Sequence, residues 1–212
     1  MAISRSKQFI FIKLNKTGGT SVQQQLATVL PDLERDGHRL LSDYDVDLDH
    51  YFKFAFVRNP WDKMVSFYSY HAGRGFDLLP PKRSGLFASL SRFVGARERP
   101  SFRAFILEDM QRIQFTKQKG KSSRLMRTSN QLDWLSDAEG QIRMDFIGRF
   151  ESLQDDFAHV CSELGLPPMQ LSHINRSQRA RDYRRYYDDD TYRAVTNAFK
   201  KDIDYFGYHF GE

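Results

Sequence analysis

Apolar residues fall along this chain in two rhythms. Short unbroken runs alternate with longer stretches in which apolar positions recur every three or four residues. The first run, Phe9-Ile10-Phe11-Ile12, is short and β-rich, as expected for a strand buried on both faces. Phe52 to Val57 and Met144 to Gly148 read the same way. Helical spacing follows each run. It appears as Val22, Leu26, Val29 and Leu30, then as Trp61, Met64, Val65 and Tyr68, then as Phe157, Val160, Cys161 and Leu164. Two more helices are predicted, over 101–114 and over 189–205. Strands alternating with helices predict an α/β fold with a parallel sheet, formed by a single domain of residues 1–212.

The punctuation supports these elements. Asn59 is placed to cap the second helix, with Pro60 preorganised for its first position, and the helix is predicted to stop near Gly73. Gly165 is the expected C-cap of the helix from about Leu153 to Leu164, and Pro167-Pro168 ends any continuation. Gly73 to Pro100 is the least regular stretch and reads as a lid or acceptor-binding insertion. Lys117 to Arg127 reads as a solvated basic loop.

The first strand leads into Lys16-Thr17-Gly18-Gly19-Thr20-Ser21 and then a helix. That layout leaves backbone N–H groups unpaired at a helix N-terminus, a ready anion site. The glycines allow close backbone approach, the hydroxyls of Thr17, Thr20 and Ser21 add donors, and Lys16 adds charge. A phosphate or a sulfate is the natural guest, although a tight turn with an exposed lysine has the same composition. The order of residues is not that of a Walker A loop. Arg58 ends the second strand. If the two strands are neighbours, their C-terminal loops share one crevice, the usual ligand position in open parallel sheets. An arginine fork there suits a terminal phosphate, and Ser66 is placed to add a hydroxyl. Taken singly, Arg58 reads equally as half of a surface ion pair and Ser66 as a plain helical serine.

Composition narrows this modestly. Lys and Arg exceed Asp and Glu by 32 − 27 = 5, which suits an anionic ligand. The two signs are interspersed and no DNA- or RNA-binding module is present, so a nucleic-acid partner is not expected. One cysteine, Cys161, excludes an internal disulfide and a cysteine-built zinc site, and no metal is expected. No signal peptide or 18-residue apolar run is present. A cytoplasmic protein without stable membrane insertion is the expectation.

KTGGTS after a strand, then FVRNPWDKMVSFY, DFIGRFESLQDDF, HINRS and KKDIDYFGYHF, together resemble the sulfotransferase family that uses 3′-phosphoadenosine-5′-phosphosulfate, in its carbohydrate-type bacterial branch. The resemblance spans nearly the whole chain and is weakest from Gly73 to Gln114. It implies a three-layer sandwich with a central parallel sheet, similar to nucleotide kinases with their P-loop. It further implies that Lys16, Thr17, Gly18, Gly19, Thr20 and Ser21 hold the 5′-phosphosulfate, with Lys16 catalytic. Arg58 and Ser66, eight residues apart, fall on the family's 3′-phosphate pair. Asn175, Arg176 and Ser177 fall on its late loop, which closes over the nucleotide. In related glycan sulfotransferases a histidine about twenty residues before that arginine is the base, which points to His38; an exposed loop histidine is the plain alternative. His71, His173, Glu34 and Asp36 are further candidates. Trp134 and Tyr70 suit either a sugar-stacking or a core role, and Arg149 with Glu151 suggests an internal ion pair. The acceptor implied is a hydroxyl of a carbohydrate or glycolipid, and 3′-phosphoadenosine-5′-phosphate is the product. The rival readings are an ATP-dependent small-molecule kinase, with Asp43 or Asp62 on magnesium, and a non-catalytic module binding nucleotide or anionic glycan.

Overall fold

The computed structural model describes residues 1–35, 50–72, 100–110, 129–137, 139–172 and 179–212. Among the described residues five strands form one sheet in the order β3-β1-β2-β4-β5. They are β1 (Ala2–Ser4), β2 (Phe9–Ile12), β3 (Glu34–Arg35), β4 (Phe52–Val57) and β5 (Phe146–Arg149). β2 pairs parallel with β4, and β4 with β5, so the expected parallel centre is present. Beyond this parallel centre the pairing changes at one side. β1 runs antiparallel to both β2 and β3. The reversal between β1 and β2 is tied down by Asp32, whose carboxylate accepts from the Ser4 hydroxyl at 3.0 Å and the Ser6 N–H at 2.9 Å.

The helices are α1 (Gly19–Ala27), α2 (Pro60–Ala72), α3 (Phe102–Ala104), α4 (Leu132–Leu135), α5 (Leu153–Glu163), α6 (Asp189–Ala198) and α7 (Lys200–Phe206). α3 runs straight into a π-helical stretch, Phe105–Met110, where a plain α-helix was expected; residues 111–128 lie outside the described residues. The predicted helix over 189–205 is broken at Phe199. β5 starts two residues later than predicted. The Asp145 carboxylate takes the Lys53 N–H at 2.6 Å, while the Asp145 N–H keeps its backbone bond to the Lys53 carbonyl at 2.9 Å. Asn59 caps α2 as expected, its side-chain oxygen accepting from the N–H of Trp61 at 3.1 Å. Gly165, at φ 59, follows α5, and Leu166 N–H returns to the Cys161 carbonyl at 2.8 Å.

Alternation along β2 and β4 sends side chains to two faces. Ile10, Ile12, Ala55 and Val57 join one core with residues of α2, the π-helix, α4, α6 and α7. Phe9, Phe11, Phe54 and Phe56 join the other with Val22 and Leu26 of α1 and Phe157, Val160 and Cys161 of α5. The sheet is therefore covered on both sides, giving three layers. Phe11 and Phe54 stack at 4.9 Å between ring centroids, across a parallel pair of strands.

Candidate functional site

The parallel register brings the ends of β2 and β4 side by side, and the site is built on the two turns that leave them. The first turn contains two left-handed residues, Lys16 at φ 65 and Gly18 at φ 79. Such alternation gathers backbone N–H groups on one concave side. Gly18 is the N-cap of α1, no side chain caps the helix, and its first turn holds no acidic residue. The N–H groups of Ser21 and Val22 return to the Gly18 carbonyl, leaving those of Gly19 and Thr20 at the head of the helix. Gly18 lies against α5, where an added Cβ meets Leu153 Cδ2 at 2.4 Å. The Thr17 hydroxyl is buried and donates to the Leu14 carbonyl at 3.3 Å, so it holds the turn. Ser21 is buried within α1. Beside the turn, the buried side-chain N–H₂ of Asn15 has no hydrogen-bond partner among the described residues.

Arg58 continues the parity of Phe54 and Phe56, on the face that α1 covers. Its guanidinium is nearly completely buried, 3.7 Å over the Phe150 ring. One arm donates to the Lys16 carbonyl at 2.8 Å. Nε donates to the Asp62 carboxylate at 2.9 Å, and a second arm donates to the same oxygen. The other Asp62 oxygen accepts from Arg179. Burial pulls the Arg58 guanidinium below its ordinary value, and the Asp62 charge opposes that shift. Burial pushes the Asp62 carboxyl up, but Arg58 and Arg179 together outweigh it and hold the group below the usual range. The Lys16 ammonium rests 4.1 Å from the centroid of the Tyr70 ring. Arg58 and Arg179 thus gather around Asp62, with the Glu151 carboxylate acting on Arg58, and with Lys16 and the backbone N–H groups of the turn adjoining.

Of the residues predicted for the site, Lys16 to Ser21 and Arg58 are brought together. Ser66 is buried on α2, and no hydrogen bond joins it to Arg58 or to the turn. His38, Asn175, Arg176 and Ser177 lie outside the described residues, as do His173, Asp36, Asp43 and the stretch 73–99. Glu34 is excluded as a base here. It lies on β3 at the far side of the sheet, paired with Arg5 at 3.0 Å. Trp134 is core, its indole N–H donating to the Ser129 hydroxyl at 2.8 Å. Arg149 and Glu151 do not pair as expected. Glu151 accepts from the Asn59 N–H at 2.8 Å, while Arg149 donates to the Phe206 carbonyl at 2.6 Å.

Sequence reasoning missed Arg179 and Gln131, and weighed Asp62 only as a magnesium ligand. Asp62 had a signal, since it stands four residues after Arg58 at the start of a predicted helix. Arg179 and Gln131 are brought in over 117 and 73 residues, respectively, and no local pattern marks either.

A protein-family model described as "Sulfotransferase family" matches residues 1–209. No curated protein and no solved structure matches the chain.

Proposed function

Because the chain belongs to the sulfotransferase family, we propose that it transfers a sulfuryl group from 3′-phosphoadenosine-5′-phosphosulfate to a hydroxyl of a carbohydrate or glycolipid. The observation that carries this reading is the junction of the two turns: an uncapped helix N-terminus, Lys16, and Arg58 bonded to the Lys16 carbonyl at 2.8 Å. The orphaned N–H₂ of Asn15 fits an anionic guest at the same place.

In this reading the N–H groups at the head of α1 and the Lys16 ammonium hold the 5′-phosphosulfate. The acceptor oxygen bonds to sulfur as the sulfur–oxygen bond to the 5′-phosphate breaks, and the electron pair stays on the phosphate oxygen. Lys16 and the loop N–H groups stabilise that growing charge. The acceptor proton passes to a base, for which His38 is our assignment. Arg58, with Ser66, faces the 3′-phosphate, and Asn175, Arg176 and Ser177 close over the nucleotide. No step passes through a metal. The fold is read as a P-loop-like relative of nucleotide kinases in one domain, working in the cytoplasm, which a single buried thiol suits. The kinase reading is weakened at Asp62. Both oxygens of that carboxylate are taken by arginines rather than free for magnesium.

Calorimetric titration with 3′-phosphoadenosine-5′-phosphate beside ADP tests the donor assignment. The expected result is tighter binding of the 3′-phosphorylated nucleotide and loss of that gap in Arg58→Ala. Equal or tighter binding of ADP by the wild type overturns it.

A further inference from the structure

Arg58 lies one residue beyond the last rung of the β4–β5 ladder, at Val57↔Arg149. Its own backbone groups therefore have no strand partner at the point where its side chain must be aimed. A side chain takes the place of a strand. The Gln131 carboxamide oxygen accepts from the Arg58 N–H at 2.9 Å, and its N–H₂ donates to the Arg58 carbonyl at 2.9 Å. This two-way bond holds the Arg58 backbone at the point from which its guanidinium reaches the Lys16 carbonyl.

Gln131 is itself held. The Asp202 carboxylate of α7 accepts from the Gln131 backbone N–H at 2.7 Å, from its side-chain N–H₂ at 3.2 Å, and from the Leu132 N–H at 3.0 Å. Asp202 thus caps α4 from another element. Asn130 adds its side chain to the Asp202 N–H at 3.3 Å and the Ala198 carbonyl at 3.2 Å. Gln131 and Asp202 are fully buried. A buried carboxamide making these three side-chain bonds has one orientation only, so the relay is stiff.

We propose that Gln131, braced by Asp202, is a positioning residue for 3′-phosphate recognition, acting through the Arg58 backbone. The inference rests on the donor reading above. It separates two nucleotide contacts. The 5′-phosphate meets the N–H groups of α1, which Gln131 does not touch. The 3′-phosphate meets the Arg58 guanidinium, whose aim Gln131 sets.

The test compares 3′-phosphoadenosine-5′-phosphate with adenosine 5′-phosphate by calorimetry, on wild type, Gln131→Met and Gln131→Glu. Gln131→Met keeps the shape and removes the bonds. It is expected to weaken the 3′-phosphorylated ligand by roughly tenfold, the scale of one or two lost hydrogen bonds, and to weaken adenosine 5′-phosphate much less. Gln131→Glu is isosteric and restores the two-way bond only while its carboxyl is protonated. With Asp202 as its anionic neighbour, and Arg58 and Lys63 as the nearby cations, its gap between ligands should approach the wild-type gap in acid. That gap should shrink as pH rises, measured against wild type at each pH. If Gln131→Met does not fold, the pH profile of Gln131→Glu decides alone. Equal weakening of both ligands, or a wild-type gap that survives in the folded variants at all pH, overturns the inference and leaves the donor reading standing. A wild type with no gap removes the 3′-phosphate reading and this inference with it.

Discussion

Gly18 has to be a glycine on two counts. Its φ of 79 lies in a region that side chains rarely adopt, and a Cβ would press on Leu153. Gly18→Ala is expected to cost about 1–3 kcal/mol of stability, read as a lower denaturant midpoint, and to weaken nucleotide binding because the N–H groups beside it shift. Lys16 takes the same left-handed region without being glycine, a strained choice held by the Arg58 bond to its carbonyl. The residue that supplies the charge is thus also the one whose backbone is braced. Lys16→Ala should lower the sulfuryl-transfer rate by on the order of 10²–10³, while affinity for 3′-phosphoadenosine-5′-phosphate changes far less; an equal loss in both would place Lys16 in binding alone. Lys63 carries a different prediction. It is buried on α2, donates to the Ser129 carbonyl at 3.4 Å, and is pushed down to about 8 by burial against the pull of Asp202 and Asp133. From about 8 to its ordinary 10.5 the unfolded chain holds this proton more firmly than the folded one. Stability from this group therefore rises with pH across that window. Urea midpoints of wild type and Lys63→Met should diverge upward over it, and parallel curves would show that Lys63 does not titrate there.

At the scale of elements, α6 shows how an end is secured. Asp188 and Thr191 form a reciprocal capping box, each side chain meeting the other's N–H at 2.9 Å. Arg103 of α3 bridges Asp188 and Asp190. The Thr191 N–H and hydroxyl, with Arg103, hold the Asp188 carboxyl at about 2. A lowered carboxyl contributes stability that is complete above its ordinary 3.8 and is lost as pH falls through about 2. The melting-temperature advantage of wild type over Asp188→Asn should follow that course; an advantage unchanged at pH 2 would assign it to geometry alone. The elements also show where the sequence was legible. Phe9–Ile12 and Phe52–Val57 were readable because unbroken apolar runs of that length have few other uses. β1 and β3 were not, since three and two residues show no period, and their pairing depends on Asp32 reaching back across the sheet. The break at Phe199 was hidden for a related reason. Tyr192, Val195, Phe199, Ile203 and Phe206 keep helical spacing straight through it. The glycine turn and Arg58 were legible because their chemistry is local. Gln131 and Asp202 were not, because a polar residue inside an apolar stretch shows its purpose only when its partner is known.

Over the whole molecule, the stretch after α7 is fastened onto the turn that carries Arg58. Asn59 donates to the His209 carbonyl at 3.0 Å, Tyr208 reaches Glu151 at 3.4 Å, and the Gly211 N–H meets the Tyr183 hydroxyl at 2.6 Å. Among the described residues no helix is long and apolar enough to cross a membrane. The hold of Asp202 on α4 also has a meaning in time. Four residues do not sustain a helix unaided, and the first N–H groups of α4 are satisfied by a carboxylate some seventy positions later in the chain. α4 therefore awaits α7, and the Gln131 hold on the Arg58 backbone awaits α4. On the donor reading proposed above, a chain emerging from the ribosome carries the glycine turn long before it can discriminate a nucleotide. In refolding, the signal of ligand capture should not precede the docking of the last helix, and recognition becomes the final event of folding.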